Sequence, residues 1–269
     1  MKIATWNVNS VRTRLARLID WLDQVKPDFL CLQELKCTDE QFPFDAFAEL
    51  GYQSTVHAQK TYNGVAILSC QTPQKVQRGF KNWSDEFNGK SCSRLISAQF
   101  DAPDGLPFRL INGYFPVGDV PGTEKLQYKL DWYDALIKEL QESYDSRVDR
   151  LILVGDLNVY RDPVLDARFP ERYEGGPLAN PPLRERMERL LKWGFIDLYR
   201  ERHPGESDYT WYDYRSLGFV RKDGLRIDYI LSTYPMGTHC LDVTMDVDQR
   251  RGEKPSDHLP VIAQFAFES

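Results

Sequence analysis

Apolar residues recur along the chain in short runs that predict β-strands. The runs are rich in Ile, Val, Leu and Phe, and several are nearly continuous. Continuous runs are typical of strands that are covered on both faces or packed sheet against sheet. The predicted strands are Lys2–Trp6, Asp28–Gln33, Gly64–Leu68, Arg94–Phe100, Phe108–Tyr114, Arg150–Gly155, Arg226–Leu231 and Val261–Phe267.

Helical periodicity interrupts these runs in two places, and a third helix is indicated by its end. One apolar stripe consists of Leu15, Leu18, Ile19, Leu22 and Val25, and the other of Leu126, Leu130, Tyr133, Ile137 and Leu140. Pro27 ends the first helix, and Thr123 is a candidate N-cap of the second. The third helix is predicted over Arg184–Trp193 and ends at Gly194. Both stripes predict faces that pack on a core rather than surfaces for a partner.

The order of these elements predicts an α/β fold. Strands and helices follow one another similarly in the two halves, which favours two packed mixed sheets with helices outside. The region Asp162–Pro182 is rich in Pro, Gly and charge and has no period, so we expect a long surface loop, often a functional feature. No internal repeat or linker divides the chain, so a single domain over residues 1–269 is predicted.

Composition indicates a globular protein of the cytoplasm without a membrane segment. Hydrophobic residues make up 42% and charged residues 28% of the 269 positions. No apolar run approaches the roughly 20 residues that a membrane span needs. The chain starts directly with strand character and lacks the apolar region of a secretory signal. The five cysteines are scattered, which is typical of reduced thiols in a cytosolic protein.

The net charge of −6 argues against tight, non-specific binding of nucleic acid through bulk charge. A local basic groove stays compatible with that charge. Candidate groups are Arg12/Arg14/Arg17, Lys75/Arg78/Lys81, Arg184/Arg186 and Arg215/Arg221/Lys222. We interpret most of them as solvated faces.

Polar side chains follow or precede the predicted strands at their ends, where ligands commonly bind in α/β folds. They are Asn7, Asn9, Glu34, Lys36, Tyr114, Asp156, Asn158, Asp228, Asp257 and His258. Carboxylates with carboxamides form a hard oxygen set, which suits Mg²⁺ or Mn²⁺. The sequence therefore predicts a divalent metal site.

A Ser-Asp-His turn at residues 256–258 stands close to an apolar strand. Asp228 lies inside another apolar strand, where an unpaired carboxylate is costly, so a partner is expected and His258 is the natural candidate. Structural interpretations stay open for neighbouring motifs. Residues 256–258 and 155–158 are compatible with ordinary turns, Glu34 with a strand cap and Tyr114 with a core aromatic.

Eight sequence blocks together resemble a known family. They are Trp6–Ser10, Leu32–Lys36, Tyr62–Ala66, Ile111–Pro116, Gly155–Asn158, Trp211–Ser216, Gly224–Asp228 and Ser256–Pro260. The chain resembles the exonuclease III family of apurinic/apyrimidinic (AP) endonucleases from Lys2 to Phe265. The Gln-Glu, Gly-Asp-Leu-Asn and Ser-Asp-His blocks are shared by a wider superfamily of metal-dependent phosphoesterases. The blocks 62–66, 111–116 and 211–219 look specific to its DNA-repair branch.

The resemblance implies a four-layered α/β sandwich and a set of roles at the site. Mg²⁺, for which Mn²⁺ would substitute, would be held chiefly by Glu34, with Asn7 and Asp257 contributing and Lys36 and Asn9 in support. A second metal at Asp156 and Asn158 is an alternative. Otherwise Asp156 would orient or deprotonate the attacking water, with Asn158 helping to position it. His258, oriented by Asp228, would contact the scissile phosphate, and Tyr114 would contact the phosphate or assist the leaving 3′ oxygen.

Substrate recognition follows from the same resemblance. Trp211, Leu225 and Ile227 match a small apolar pocket that accepts a flipped sugar without a base and excludes an intact nucleotide. Arg215 would contact DNA. Val117 departs from the family, which often carries Asn or Gln at that position, so the balance of activities is open.

The resemblance implies a monomeric phosphodiesterase that cuts 5′ to an abasic site in duplex DNA, leaving a 3′-hydroxyl. It would also have 3′–5′ exonuclease or 3′-phosphatase activity on blocked 3′ ends. One alternative is a phosphatase or phospholipase of the superfamily that acts on other phosphoesters. Another is a non-catalytic nucleic-acid-binding regulator, which the retained site residues disfavour.

Overall fold

The computed structural model describes residues 1–267, which form two six-stranded sheets, a short hairpin and peripheral helices. In chain order the strands are β1 Lys2–Asn7, β2 Phe29–Gln33, β3 Gln53–His57, β4 Val65–Ser69, β5 Gln74–Arg78, β6 Glu86–Phe87, β7 Lys90–Ser91, β8 Leu95–Asp101, β9 Pro107–Tyr114, β10 Leu151–Asp156, β11 Phe195–Asp197, β12 Asp228–Thr233, β13 Cys240–Met245 and β14 Val261–Phe265. The helices are α1 Leu15–Val25, α2 Phe44–Ala48, α3 Glu124–Ser143, α4 Pro181–Trp193, α5 Leu198–Arg202, α6 Gly218–Arg221 and α7 Tyr234–Gly237.

Each large sheet has one parallel strand pair at its centre. The first sheet has the order β13-β14-β1-β2-β4-β3, and the second has the order β11-β12-β10-β9-β8-β5. β1 runs parallel to β2, and β10 runs parallel to β9, whereas the other pairs of both sheets are antiparallel. The carboxyl ends of β1 and β2 therefore lie at the same edge of the first sheet, and those of β9 and β10 lie at the same edge of the second.

Three apolar cores separate four layers. One core fills the space between the sheets, with Ile3, Phe29 and Val65 on one side and Leu110 and Ile152 on the other. A second core packs α1 on the outer face of the first sheet. A third packs α3 and α4 on the outer face of the second. The predicted α/β sandwich of two mixed sheets with helices outside is confirmed. No helix in residues 1–267 has both the length and the apolar character needed to cross a membrane.

All predicted strands are present, with ends that differ by one or two residues. The longer strands that the sequence pattern missed are β3, β5, β11 and β13, and these four are the edges of the two sheets. Edge strands need only one covered side, and β5 is almost entirely exposed. They therefore lack the apolar runs by which the central strands are recognised.

The structure confirms the predicted start of α3 and corrects the predicted start of α4. Thr123 accepts a hydrogen bond from the Leu126 amide at 3.3 Å, so it caps α3 as expected. α4 begins at Pro181 rather than at 184, because the Asn180 side chain caps it by accepting from the Leu183 amide at 3.1 Å. The prediction of a surface loop over 162–182 is wrong in part, since Asp166 and Asn180 within it are fully buried.

A pair of buried amides links the two sheets. Gln33 at the end of β2 donates through Nε2 to the Asn112 side-chain oxygen on β9 at 2.7 Å. Asn112 in turn donates to the carbonyls of Leu32 and Ala66 at 2.9 and 2.8 Å. Both amides are fully buried. Because an unpaired buried amide is costly, these bonds fix how β2 and β9 face each other directly before Glu34 and Tyr114.

A buried cation holds the loop 162–180 to the second sheet. Arg226 is 1% exposed and donates to Asp166 at 2.8 Å and to both oxygens of Asp197 at 3.1 and 2.7 Å. Burial opposes the ionised form of Asp166, but Arg226 outweighs it, and the pKa of that carboxyl is lowered. Arg226 also lies against the Tyr229 ring, 4.5 Å from its centroid.

Arg226→Met is expected to lower the free energy of unfolding by about 3–5 kcal/mol, because it leaves the buried Asp197 carboxylate without its cation and Asp166 paired with Arg200 alone. Urea unfolding followed by tryptophan fluorescence would measure the change. Arg147→Met is the matched control, since Arg147 forms an exposed ion pair with Asp145 and should have no measurable effect. Equal stability of the two variants would contradict this account.

Candidate active site

The strand register brings the predicted polar residues to one edge of the two sheets. Asn7 ends β1 and pairs with Gln33, so Glu34 follows immediately beside it. Asp156 ends β10, where it pairs with Tyr114 on one side and with Asp228 on the other. Residues from distant parts of the chain thus meet where the central strands end, as the sequence predicted.

Asn7 connects the two sheets at this edge. Its Nδ2 donates to Glu34 Oε1 and to Asp156 Oδ2, both at 2.9 Å. Asn7 is fully buried and Asp156 is 1% exposed, whereas Glu34 is partly open to solvent. The amide therefore sets the spacing between two carboxylates that belong to different sheets.

His258 lies between two carboxylates. Its Nδ1 is 2.8 Å from Asp228 Oδ2, and its Nε2 is 3.7 Å from Asp156 Oδ2. The pairing of His258 with Asp228 that the sequence predicted is present, and both residues are buried. The Thr210 hydroxyl accepts from the Asp228 amide at 3.1 Å. This bond fixes the start of β12 and so helps to hold the carboxylate in place.

The Ser-Asp-His turn is folded against β1. The Ser256 hydroxyl donates to the Asn7 carbonyl at 2.7 Å and accepts from the His258 amide at 3.2 Å. The indole of Trp6 donates to the His258 carbonyl at 3.1 Å. The turn is therefore not an ordinary surface loop, because buried bonds on both of its sides fix the imidazole.

Burial and neighbouring charges shift the pKa values of His258 and Asp156. Burial alone would lower the pKa of His258, but the carboxylates of Asp228 and Asp156 raise it to about 10. Burial raises the pKa of Asp156, and Asp228 adds to that effect, while His258 and the Asn7 bond oppose it. The imidazole is thus held as a cation between two carboxylates. Cationic imidazole carries an N–H on both nitrogens, so it donates to an anion on its open side.

The end of β10 requires a glycine at position 155. Gly155 has φ 138° and lies so close to β9 that a Cβ would stand 1.9 Å from the Gly113 carbonyl oxygen. Three residues after Gly155, the Asn158 amide donates to Asp156 Oδ1 at 2.9 Å, and the Asn158 side chain donates to the Phe115 carbonyl at 2.9 Å. Asp156 is therefore bonded on both of its oxygens, which fixes the direction of its carboxylate.

One group of acidic and histidine side chains in residues 1–267 has its ligand atoms close enough together to hold a metal ion. It consists of Glu34, Asp156 and His258, whose ligand atoms all lie within 4.8 Å of one another. Lys36 donates to Glu34 Oε2 at 2.7 Å. The carboxylates of Glu34 and Asp156 supply hard oxygen donors, and the partly open Glu34 leaves room for water ligands. This donor set fits Mg²⁺ or Mn²⁺ better than a soft or tetrahedral metal.

A second hydrogen-bonded chain runs beside the first. Lys36 Nζ donates to Asn9 Oδ1 at 2.5 Å, and Asn9 Nδ2 donates to Asp257 Oδ1 at 2.9 Å. The indole of Trp211 donates to the other oxygen of Asp257 at 3.1 Å. Asp257 is outside the close group that contains Glu34, and its two oxygens are held by these donors. Asp257 therefore lies beside the site, and its contribution to metal binding stays a prediction.

Tyr114 faces a groove of about 590 Å³ next to Glu34. The groove is also lined by Lys36, Tyr62, Lys90, Arg94, Val117 and Lys125. Arg94 lies over the Tyr114 ring, with its guanidinium carbon 4.8 Å from the ring centroid. Burial, together with Glu34, keeps the pKa of the Tyr114 hydroxyl well above its usual value, so this group is a neutral donor at neutral pH.

The three residues predicted to form an apolar pocket lie together but are not equally accessible. Leu225 and Ile227 are buried within one apolar cluster, and Trp211 packs against that cluster half-exposed. Trp211 also forms backbone bridges to Leu225 and to His258, so it connects the pocket to the site. Arg215 is exposed on the neighbouring turn, where its amide donates to Asp213 at 2.9 Å.

Several residues at the site were not predicted from the sequence. Thr210 stands in a segment without a recognisable pattern, and Arg94 is the first residue of a predicted strand. The roles of both depend on contacts with residues distant in the chain. Lys129 had a signal that was available, since it falls three positions after Leu126 on the apolar stripe of α3. A lysine on the buried face of a helix indicates a specific contact, because burial of an ammonium group is costly.

Comparison with known proteins gives one consistent group. The profile of the endonuclease/exonuclease/phosphatase family matches residues 4–258. The chain is similar to exodeoxyribonuclease III of Haemophilus influenzae, with 34% identity over 273 residues that cover 98% of this chain and 100% of that protein.

Solved structures give the same picture. The structure of an AP endonuclease from Archaeoglobus fulgidus is similar with a TM-score of 0.90 and 39% identity, covering 99% of this chain and 100% of that one. A structure of the 3′ phosphatase NExo from Neisseria, bound to product DNA hairpin, has a TM-score of 0.89 and 36% identity, with the same coverage of 99% and 100%.

Asp228→Asn is expected to lower the pKa of His258, because burial disfavours the imidazolium once the Asp228 charge is removed. NMR titration of the imidazole C–H resonances, in the presence of chelator, would measure the shift. The chain has four histidines, and His258→Gln would identify the resonance.

Asp242→Asn is the matched control for this titration. Asp242 lies 2.8 Å from Nε2 of His203, so that variant should change the titration of His203 and leave His258 unaltered. An unchanged pKa of His258 in Asp228→Asn would show that the carboxylate does not set the charge of the imidazole.

Proposed function

The chain belongs to the endonuclease/exonuclease/phosphatase family, in its exonuclease III branch, and is a hydrolytic nuclease; we propose that it repairs abasic sites in duplex DNA. The reaction is Mg²⁺-dependent hydrolysis of the phosphodiester 5′ to the abasic site, which leaves a 3′-hydroxyl. The same site removes nucleotides or phosphate from blocked 3′ ends. In this proposal the enzyme acts as a monomer, and residues 1–269 form a single domain.

The observation that carries the proposal is the buried arrangement in which Asn7, Asp156 and His258 meet beside Glu34. It combines a fixed carboxylate, a cationic imidazole and a partly open acidic group within a few ångströms. A carboxylate that accepts a proton from water and a cation that binds a phosphate oxygen are the two requirements of phosphodiester hydrolysis. Relatives that share the fold are named for nuclease and phosphatase activities, which fits this chemistry.

Glu34 would hold the divalent cation, with Asn7 and Asp257 contributing and Lys36 and Asn9 fixing the ligands from behind. A second ion at Asp156 and Asn158 is the alternative arrangement. When bound, the cation polarises a phosphate oxygen and offsets negative charge that develops in the transition state.

The other catalytic roles in this proposal belong to side chains of the chain itself. Asp156, held on both oxygens, orients the attacking water and takes its proton. His258 donates from Nε2 to a non-bridging phosphate oxygen, and Asp228 keeps the imidazole cationic. Tyr114 donates its neutral hydroxyl to the phosphate or to the leaving 3′ oxygen. Asn158 holds the direction of Asp156 through its amide.

Selection of an abasic nucleotide rests on the apolar cluster beside the site. A sugar that lacks its base would lie against Trp211, Leu225 and Ile227, which offer no partner to the polar edge of a base. The basic groove residues Lys36, Lys90 and Lys125 supply local positive charge despite the overall charge of −6. Arg215 would contact the DNA backbone from the neighbouring turn.

The proposal predicts cleavage of an end-labelled duplex with one abasic site, in Mg²⁺ and not in excess chelator. Gel assays would compare this substrate with an undamaged duplex and a nicked duplex that carries a 3′-phosphate. Phosphate release from an inositol polyphosphate tests the alternative class of substrate. Full activity in chelator, or hydrolysis of the inositol phosphate without cleavage of abasic DNA, would overturn the proposal.

Two substitutions are expected to separate metal binding from water activation. Glu34→Ala should lose activity at low Mg²⁺ and recover partly at high Mg²⁺, because only affinity for the cation is reduced. Asp156→Asn keeps the shape of the side chain and should lose about 10²–10⁴-fold in rate at every Mg²⁺ concentration. Rates on the abasic duplex across a Mg²⁺ series would measure both. Recovery of Asp156→Asn at high Mg²⁺ would remove Asp156 from the proton-transfer role.

A further inference from the structure

Three consecutive carbonyls of the turn that follows Asp156 are bound by side chains from the layer behind it. The Tyr133 hydroxyl donates to Leu157 O at 2.7 Å, Lys129 Nζ donates to Asn158 O at 2.5 Å, and the Tyr229 hydroxyl donates to Val159 O at 3.0 Å. All three donors are buried, with 0% or 1% exposure. Lys129 and Tyr133 are one helical turn apart on α3, so a single helix face holds two successive peptide groups.

Lys129 is the exceptional member of this set. It is fully buried on an otherwise apolar stripe, and it forms no ion pair within residues 1–267. Its ammonium is satisfied by three backbone carbonyls instead, those of Val117 at 3.0 Å, Asn158 at 2.5 Å and Pro177 at 2.7 Å. Burial of an ammonium group is costly, and a leucine or methionine would fill the same apolar stripe without that cost.

The three carbonyls belong to three different loops around the site. Val117 follows Tyr114, Asn158 follows Asp156, and Pro177 lies in the loop 162–180. Gly118 packs directly on the lysine stem, since a Cβ at that position would stand 2.9 Å from Lys129 Cδ. One buried amino group therefore ties together the loops that present the phenol, the carboxylate and the wall of the apolar cluster.

We propose that Lys129, together with Tyr133, is a positioning residue that fixes Asp156 and Asn158 for the hydrolytic step. The proposal rests on the function proposed above. The Asn158 amide donates to Asp156, and the Asn158 side chain donates to the Phe115 carbonyl. These bonds set the direction of the Asp156 carboxylate only if the turn that carries Asn158 is itself held in place. The three donors hold it from the buried side, so they affect the geometry of the reacting groups rather than binding.

Lys129→Met tests this inference, because it keeps the length of the side chain and removes the ammonium. We expect kcat on abasic duplex at saturating Mg²⁺ to fall by about 10²-fold, the scale of a small misplacement of a reacting group, with KM nearly unchanged. Lys138→Met on the exposed face of the same helix is the control, and it should keep the wild-type kcat. Lys129→Arg retains a cation with several donors and should recover part of the loss.

Tyr133→Phe removes one hydroxyl and no apolar surface, so it tests the proposal even if Lys129→Met does not fold. It should lower kcat with KM unchanged, and its circular dichroism should match that of the wild type. A purely structural role would lower the melting temperature of either variant but leave kcat per folded molecule equal to that of the control. Such a result would overturn the inference.

Failure of the proposed function is distinguishable from failure of this inference. If the wild-type enzyme does not cut abasic DNA, the function is wrong, and the inference is then judged by hydrogen exchange alone. In that measurement Lys129→Met should speed exchange of the amides in 157–159 more than exchange of the β10 amides 151–155. Equal exchange in this turn for wild type and variant would overturn the positioning role.

Discussion

The site depends on one constraint, which is that two buried carboxylates stand directly opposite each other on neighbouring strands. Asp156 and Asp228 are paired across β10 and β12, where like charges repel and no water screens them. His258 from the other sheet inserts between them and remains cationic because both flank it. Because a cation is needed between the two carboxylates, His258 links the two sheets at the edge that carries the proposed active site.

Other buried hydrogen bonds between the two sheets hold these three residues in place. Asn7 spans the sheets between Glu34 and Asp156, and Ser256 fixes the turn that carries His258 to the end of β1. Beneath them the amides of Gln33 and Asn112 form a second link between the sheets. Because each of these groups is buried, a displacement of either sheet would leave polar atoms without partners, which is costly. The site is therefore preorganised by the same bonds that align the two sheets.

Burial and neighbouring charges give the ionisable groups of the site different properties within a few ångströms. Within residues 1–267 the Asp228 carboxylate hydrogen-bonds to His258 alone and favours its cationic form, whereas Asp156 is held by amides and has its pKa raised by burial. Glu34 remains partly open and is suited to a hydrated cation. The groove near Tyr114 carries local positive charge even though the protein is acidic overall. The outer helix α3 contributes through Lys129 and Tyr133, which hold the turn after Asp156 from behind.

The sequence by itself determined the central strands, the main helices and the residue types of the site. Continuous apolar runs reveal strands that are covered on both faces, and an Asp inside such a run requires a partner, which identified Asp228 with His258. The edge strands and the roles of Thr210, Arg94 and Lys129 were decided only by the tertiary structure. Edge strands are half exposed and carry no distinctive pattern, and the contacts of these three side chains join segments far apart in the chain. Periodicity records which face of an element is buried, but it does not record which atoms of another element lie opposite, and the chemistry of the site depends on those pairings.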